Sequence, residues 1–275
     1  MVNERLIKKR YIAVDISDSI SALIGKLKQN NAKTALVLDK NKFEGIADTH
    51  RLIRTKINPT EVRVKKIIKH IPTLNGGESL KETIRLMYTG ETRILPVIKD
   101  KKVIGIVHSK DIIQELAKTK HADKKIKEIM TLEPITIKQD SSVGEAISIM
   151  KEKHISRIPV VDEQNNLINI AALTDFMYKF TLRQQSKTER KGRESPAKRT
   201  KSFKAQKTDL NKFPVKNIAT PILVTASPED TLERVIEKME RFDISSIVVK
   251  EDKKAVGIIT TRDFLRLFLE DLITM

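Results

Sequence analysis

Apolar and polar positions along this chain follow a cycle that runs four times. Each cycle opens on a short strand-like stretch: YIAV (11–14), IPTL (71–74), PITI (134–137) and LVTA (223–226). An apolar stripe follows at i, i+4 and i+7: Ile20/Ile24/Leu27, Leu80/Ile84/Met87, Val143/Ile147/Met150 and Leu232/Ile236/Met239. That spacing puts the three side chains on one face of a helix. Three of these helices open as capping boxes, Ser79 with Glu82, Ser142 with Glu145 and Asp230 with Glu233. Each sets an acceptor at the N-cap and a carboxylate three residues on. A second strand comes next, TALVLD (34–39), ILPVIKD (94–100), RIPVVD (157–162) and SIVVK (246–250). After a polar turn, a third strand is expected to start at Gly45, Gly105, Asn169 or Gly257, and a last helix closes the cycle.

From the first apolar helix position to that Gly or Asn the distances are 25, 25, 26 and 25 residues. A register held so closely marks one β-α-β-β-α unit used four times. A unit of about 55–60 residues would have only a marginal core by itself. Pairing sheet to sheet, unit one with two and three with four, would cover the apolar strand faces. The fold class expected is therefore α+β, with four repeats in two tandem modules. The repeats are set at 1–60, 61–122, 123–180 and 215–275. Residues 181–214 are read as a disordered basic linker, because they carry too few apolar side chains to form a core.

Composition narrows the setting. The chain has 275 residues, 39% of them hydrophobic. It contains no run of 18 apolar residues to span a membrane. Its opening, MVNERLIKKRYIAVD, lacks the apolar core of a signal peptide. Cysteine is absent, which excludes disulfides and Cys-ligated metal. A cytoplasmic protein is expected. The net charge of +17 favours anionic partners. It is concentrated in 181–216, where 12 Lys and Arg stand against 3 acidic residues.

The segments 129–176, IMTLEPITIKQDSSVGEAISIMKEKHISRIPVVDEQNNLINIAALTDF, and 257–265, GIITTRDFL, resemble CBS domains, the cystathionine beta-synthase regulatory repeat. The four-repeat layout is similar to that of the gamma subunit of AMP-activated protein kinase. The resemblance implies a non-catalytic regulatory fold, not an enzyme. It implies an adenine nucleotide (AMP, ADP or ATP) or S-adenosylmethionine bound in clefts between paired repeats, as regulatory ligand and not as a required cofactor. Rearrangement of a module would then signal to a regulated partner protein. Association into a homodimer is left open.

The Thr-x-x-Asp unit has a direct chemistry. An ionised Asp accepts two hydrogen bonds, which suits adjacent ribose hydroxyls, and the first N–H groups of a helix favour a phosphate. By the resemblance, Asp takes the ribose and Thr the phosphate or ribose side. The fourth repeat has the full set, Thr260 and Asp263, with Thr220, Ile222 and Val224 around its first strand. The second has Asp111 with His108 in place of Thr, and the third has Asp175 with Ala172 in place of Thr. The first has Asp48 and Arg51 with the charges inverted, and is expected to be empty. The sites rank fourth, then second and third. Arg157 sits where kinase-gamma-type repeats carry a phosphate-contacting Arg, and is expected to reach the cleft of Thr260 and Asp263. The bland alternative for every Thr-x-x-Asp is a helix cap. His50, His70, His121 and His154 show no metal spacing, and no nucleotide-binding P-loop or nucleophile elbow is present. A second function class uses the basic segment as a nucleic-acid arm, through Arg190, Lys191, Arg193, Lys198, Arg199 and Lys201. Its only aromatics are Phe203 and Phe213, so base stacking there is limited.

Overall fold

The computed structural model describes residues 4–30, 32–48, 62–176, 212–219 and 223–271. Residues 181–211 of the basic linker and its six arm residues, together with His50, Arg51, Thr220 and Ile222, lie outside these. The chain divides into two compact units. One is Met1–Thr131 with Ala226–Ile247 and Ile258–Met275, and the other is Leu132–Thr225 with Val248–Gly257. The fourth repeat is therefore shared, its helices lying in the first unit and the middle of its hairpin in the second.

In the first unit the first repeat runs β2 (Ala13–Asp15), α1 (Ile20–Gln29), β3 (Thr34–Asp39) and β4 (Lys42–Asp48). β2 lies parallel to β3, and β3 antiparallel to β4. The second repeat repeats the plan with α2 (Leu80–Thr89), β5 (Ile94–Lys99), β6 (Lys102–His108) and α3 (Ser109–Leu116). Its first strand shrinks to a single parallel bridge, Leu74 to Val97. β1 (Ile7–Lys8) adds to the free edge of β6.

The two repeats are interlocked. β1, at the start of the first repeat, pairs with the second, while Lys69, near the start of the second repeat, bridges to Ile46 of the first. Val64 and Ile67, from the 3-10 turn Val64–Ile67, enter the core that α1 makes with its sheet, beside Leu23, Leu27 and Val37. The two sheets meet face to face through Leu36, Ile46 and Ile94, with Tyr11, Val103 and Ile106 packed against them. The expected pairing of unit one with unit two is thus present.

The glycines now have a reason. The third strands begin at Lys42 and Lys102, three residues before Gly45 and Gly105, because the turns ahead of them are only two residues long. Each glycine sits instead at a bulge, where Val37 faces Gly45 but Leu38 faces Phe43, and Val97 faces Gly105 but Ile98 faces Val103. A Cβ on Gly45 would lie 2.6 Å from the Lys69 carbonyl oxygen, and one on Gly105 would lie 2.9 Å from that of Lys8. Glycine is what lets the crossing segment lie on the bulge.

α5 (Leu232–Arg241) and α6 (Thr261–Asp271) complete the first unit, packing on α2 and α3. Arg262 stacks on the Tyr88 ring at 4.3 Å and stands 3.7 Å from Glu91. α5 corrects one expectation: its cap is Thr231, whose Oγ1 accepts from the Arg234 N–H, and not Asp230. Asp230 stands one residue too early and takes Lys238 at 2.8 Å and Arg234 at 3.2 Å. Ser79 and Ser142 cap as expected.

The second unit holds β8 (Ile137–Lys138), α4 (Val143–Glu152), β9 (Arg157–Val161) and β10 (Leu167–Ala172), in sheet order β10–β9–β8. The exchange of segments recurs, with Pro214 bridging to Ser142 here and Lys125 to Thr231 in the first unit. β7 (Thr131–Leu132), β11 (Thr225–Ala226), β12 (Ser246–Glu251) and β13 (Lys254–Thr260) form the fourth sheet, ordered β11–β12–β13–β7. No helix among the described residues is long and apolar enough to cross a membrane.

Candidate functional site

The second, third and fourth repeats pass from their last strand straight into a helix. The first helical N–H is tied back to the residue at the mouth of the repeat's central strand: Ser109 to the Arg93 carbonyl, Leu173 to Ser156, and Thr261 to Ser245. This bond holds the three corners in one geometry. The side chains at the corners then differ.

At the fourth corner Thr260 and Asp263 hold one another. Asp263 Oδ2 accepts from both the Thr260 N–H and its hydroxyl at 2.8 Å, and Thr260 Oγ1 accepts from the Arg262 N–H at 3.2 Å. Arg266 lies 3.6 Å from Asp263 Oδ1. The carboxylate is buried. This is a capping arrangement with a carboxylate in the third helical position. A ribose hydroxyl would have to displace the Thr260 hydroxyl or share Oδ1 with Arg266. Val224 is half-buried ahead of β11.

The third corner repeats half of this, with Asp175 Oδ2 accepting from the Ala172 N–H at 2.9 Å. Arg157 opens β9 directly opposite Ala172, so it stands beside the corner of its own repeat. Thr260 and Asp263 belong to the other unit.

The second corner is built differently. His108 caps α3 with Nδ1, which accepts from the Lys110 N–H at 3.1 Å. An acceptor Nδ1 requires the neutral ring. Burial pulls the His108 pKa down to about 4, helped by the Lys110, Arg93 and Lys33 charges and opposed by Asp243. Asp111 is released from capping. Its Oδ1 lies 3.8 Å from Lys8 Nζ on the crossing strand β1, and its Oδ2 is buried with no hydrogen-bond partner. Burial pushes the Asp111 carboxyl up, while Lys8 and Lys110 pull it down. A buried acceptor of this kind costs free energy until a donor reaches it.

Arg93, which the sequence reading passed over, stands at the mouth of β5. Burial lowers its pKa and the Asp48 carboxylate opposes that shift. Asp48 ends β4, so the acid of the first corner and the Arg of the second share one neighbourhood. The signal was present: aligning Pro96 with Pro159 sets Arg93 one residue ahead of the Arg157 position. A cavity of about 290 Å³ in the second unit, between Pro134, Val161, Asn165 and Lys254, contains none of the predicted site residues. No cluster of potential metal ligands occurs among the described residues.

The CBS domain family model matches residues 64–118, 126–181 and 215–270. The chain belongs to the CBS domain family. The uncharacterized protein MJ1404 of Methanocaldococcus jannaschii is 24% identical over 281 residues, which take in 99% of this chain and 63% of that protein. Inosine-5′-monophosphate dehydrogenase of the same organism is 30% identical over 142 residues, half of this chain but 28% of the enzyme. This CBS chain thus spans less than two thirds of either relative. The crystal structure of MJ1225 from M. jannaschii, described as a proposed archaeal homolog of g-AMPK, superposes with a TM-score of 0.80. That match covers 96% of this chain and 99% of MJ1225 at 20% identity, and establishes a shared fold.

Proposed function

We propose that this chain is a non-catalytic regulatory protein that binds an adenosyl ligand at the helix-opening corners of its paired CBS repeats. The ligand class is an adenine nucleotide or an S-adenosylmethionine-type molecule. The observation that carries the reading is the buried, unpartnered Oδ2 of Asp111 at a corner that also holds the first N–H groups of α3. Ribose hydroxyls would satisfy that oxygen, and Arg93 and Lys8 would balance a phosphate. The Thr260–Asp263 corner offers the same groups in a closed, self-capped state. Ligand would signal only by binding one arrangement of the repeats better than another.

Calorimetric titration with AMP, ADP, ATP and S-adenosylmethionine tests this. Binding of at least one is expected, weakened roughly tenfold or more by Asp111→Ala, the usual scale for a lost charge-assisted hydrogen bond. Indifference of the wild type to all four ligands would remove the reading. A second reading rests on the 12 Lys and Arg in 181–216: an electrostatic arm for nucleic acid.

A further inference from the structure

We propose that the tip of the β5–β6 hairpin, with Lys9 and Arg10 beside it, is a binding surface for the sugar-phosphate backbone of nucleic acid. This surface lies on the folded body, apart from the ligand corners and from the basic linker.

The fold gathers its charges. β1 is in register with β6, Ile7 opposite Val107 and Lys8 opposite Ile106, and the Tyr11 hydroxyl donates to the Val103 carbonyl at 3.3 Å. Lys9 and Arg10 therefore run alongside residues 103–105, next to the tip that carries Lys99, Asp100, Lys101 and Lys102. All five cations are exposed, and among the described residues none is held in an ion pair. Lys99 and Lys102 are direct cross-strand partners. Like charges in that position destabilise a hairpin, and Asp100 is the one acid at the tip.

The first repeat supplies a control within the same molecule. Its tip pairs Asp39 with Lys42, which also bridges to Glu44 at 3.1 Å. The crossing segment there holds Lys69 where the second repeat has Lys8, so His70 and Ile71 stand in place of Lys9 and Arg10. Both turns need two left-handed residues. Each meets this with one Lys and one Asx residue, Lys40 and Asn41 in the first and Asp100 and Lys101 in the second, so the turns are matched and the difference lies in the flanking pair, Asp39 with Lys42 against Lys99 with Lys102. The repeat architecture therefore does not require this concentration of cations, and the fold is less comfortable for it.

The chemistry of the surface selects its partner. A protein interface wants buried aromatic or aliphatic anchors. Here the neighbouring exposed apolar side chain is Ile104, and the tip itself is entirely polar. A phosphate backbone asks only for closely spaced cations and returns the counterions they displace. It would also remove the Lys99–Lys102 repulsion.

The test uses the full chain and a short fluorescent single-stranded oligonucleotide, with anisotropy followed across a salt series. The wild type is expected to bind. Lys99→Glu with Lys102→Glu is expected to weaken binding roughly tenfold and to flatten the log–log salt slope by about 1.4, for two lost phosphate contacts. Lys40→Glu with Lys42→Glu makes the same change in net charge at the other tip and is expected to alter affinity by about twofold or less. Lys101→Asn, which suits the left-handed turn, is expected to weaken binding while keeping the melting temperature. The proposal fails if the wild type does not bind, or if both double variants lose affinity equally. It also fails if Lys101→Asn and the Lys99/Lys102 variant bind as wild type, or if the tip is needed for phosphatidylserine vesicles and not for the oligonucleotide.

Discussion

Asp111 and Asp263 occupy the same place in two repeats and meet different company. Asp263 is spent on a cap, whereas the neutral ring of His108 does the capping for Asp111 and leaves it free. The exchange has a pH signature. The folded His108 titrates near 4 instead of 6.5, so between those values the unfolded chain binds the proton that the folded chain refuses. Stability is then lost as pH falls from 6.5 towards 4, by about 2 kcal/mol at pH 5. His108→Asn keeps a capping acceptor and removes the titration. Urea unfolding at pH 7 and pH 5 should show the wild type losing more stability than this variant, and equal losses would refute the assignment. The Thr-x-x-Asp motif marked these corners in the sequence, since each sits between a strand pattern and a helix pattern. The motif could not say which carboxylate is left open, because a His in the Thr position gives no sign that its ring will cap the helix, and Lys8, which stands 3.8 Å from Asp111, is 103 residues away in the chain. Arg93 was hidden for a related reason, as its significance comes from Asp48 in another repeat.

At the scale of elements, the helices were legible because one face of each is buried, which imposes period 3.6, and the central strands because they are buried on both faces and read as short continuous apolar runs. The first strands were not. Of the four-residue windows expected, Ala13 and Val14 lie in β2, Ile137 alone in β8, Thr225 and Ala226 in β11, and Leu74 keeps one bridge. Tyr11 and Ile71 of these windows pack against Leu36, Ile46 and Ile94, and Ile135 is exposed, so an apolar run there does not mean ladder pairing. The crossing segments left only one trace, the recurrent glycine. Gly105→Ala should therefore cost about 1–3 kcal/mol, since a methyl would meet Ile7 and the Lys8 carbonyl. Gly25→Ala is the contrast. Its site is exposed within α1 with nothing near a new Cβ, so a gain of about 0.5–1 kcal/mol is expected. Denaturant melts of the two variants should move in opposite directions, and movement in the same direction would contradict the role given to the bulge.

For the whole molecule, charge and connectivity matter most. Deleting residues 186–210 removes nine Lys and Arg and three acidic residues. If the segment is an arm, oligonucleotide affinity should fall and its salt slope flatten, with adenosyl-ligand titrations unchanged. Unaltered affinity would leave the segment as a tether. Connectivity has a different consequence, for the order in which the protein can assemble during synthesis. The first repeat closes its core only when Val64 and Ile67 have emerged from the ribosome, and the second finds its edge strand already made at Ile7 and Lys8. A nascent chain halted near residue 50 would have the first sheet without its lid, and Gly45 would face open space where Lys69 belongs. The interlock thus makes the two repeats together the smallest piece in which both sheets can close, with α5 and α6 still to come, and sets the earliest moment at which those sheets in a growing chain resist a protease.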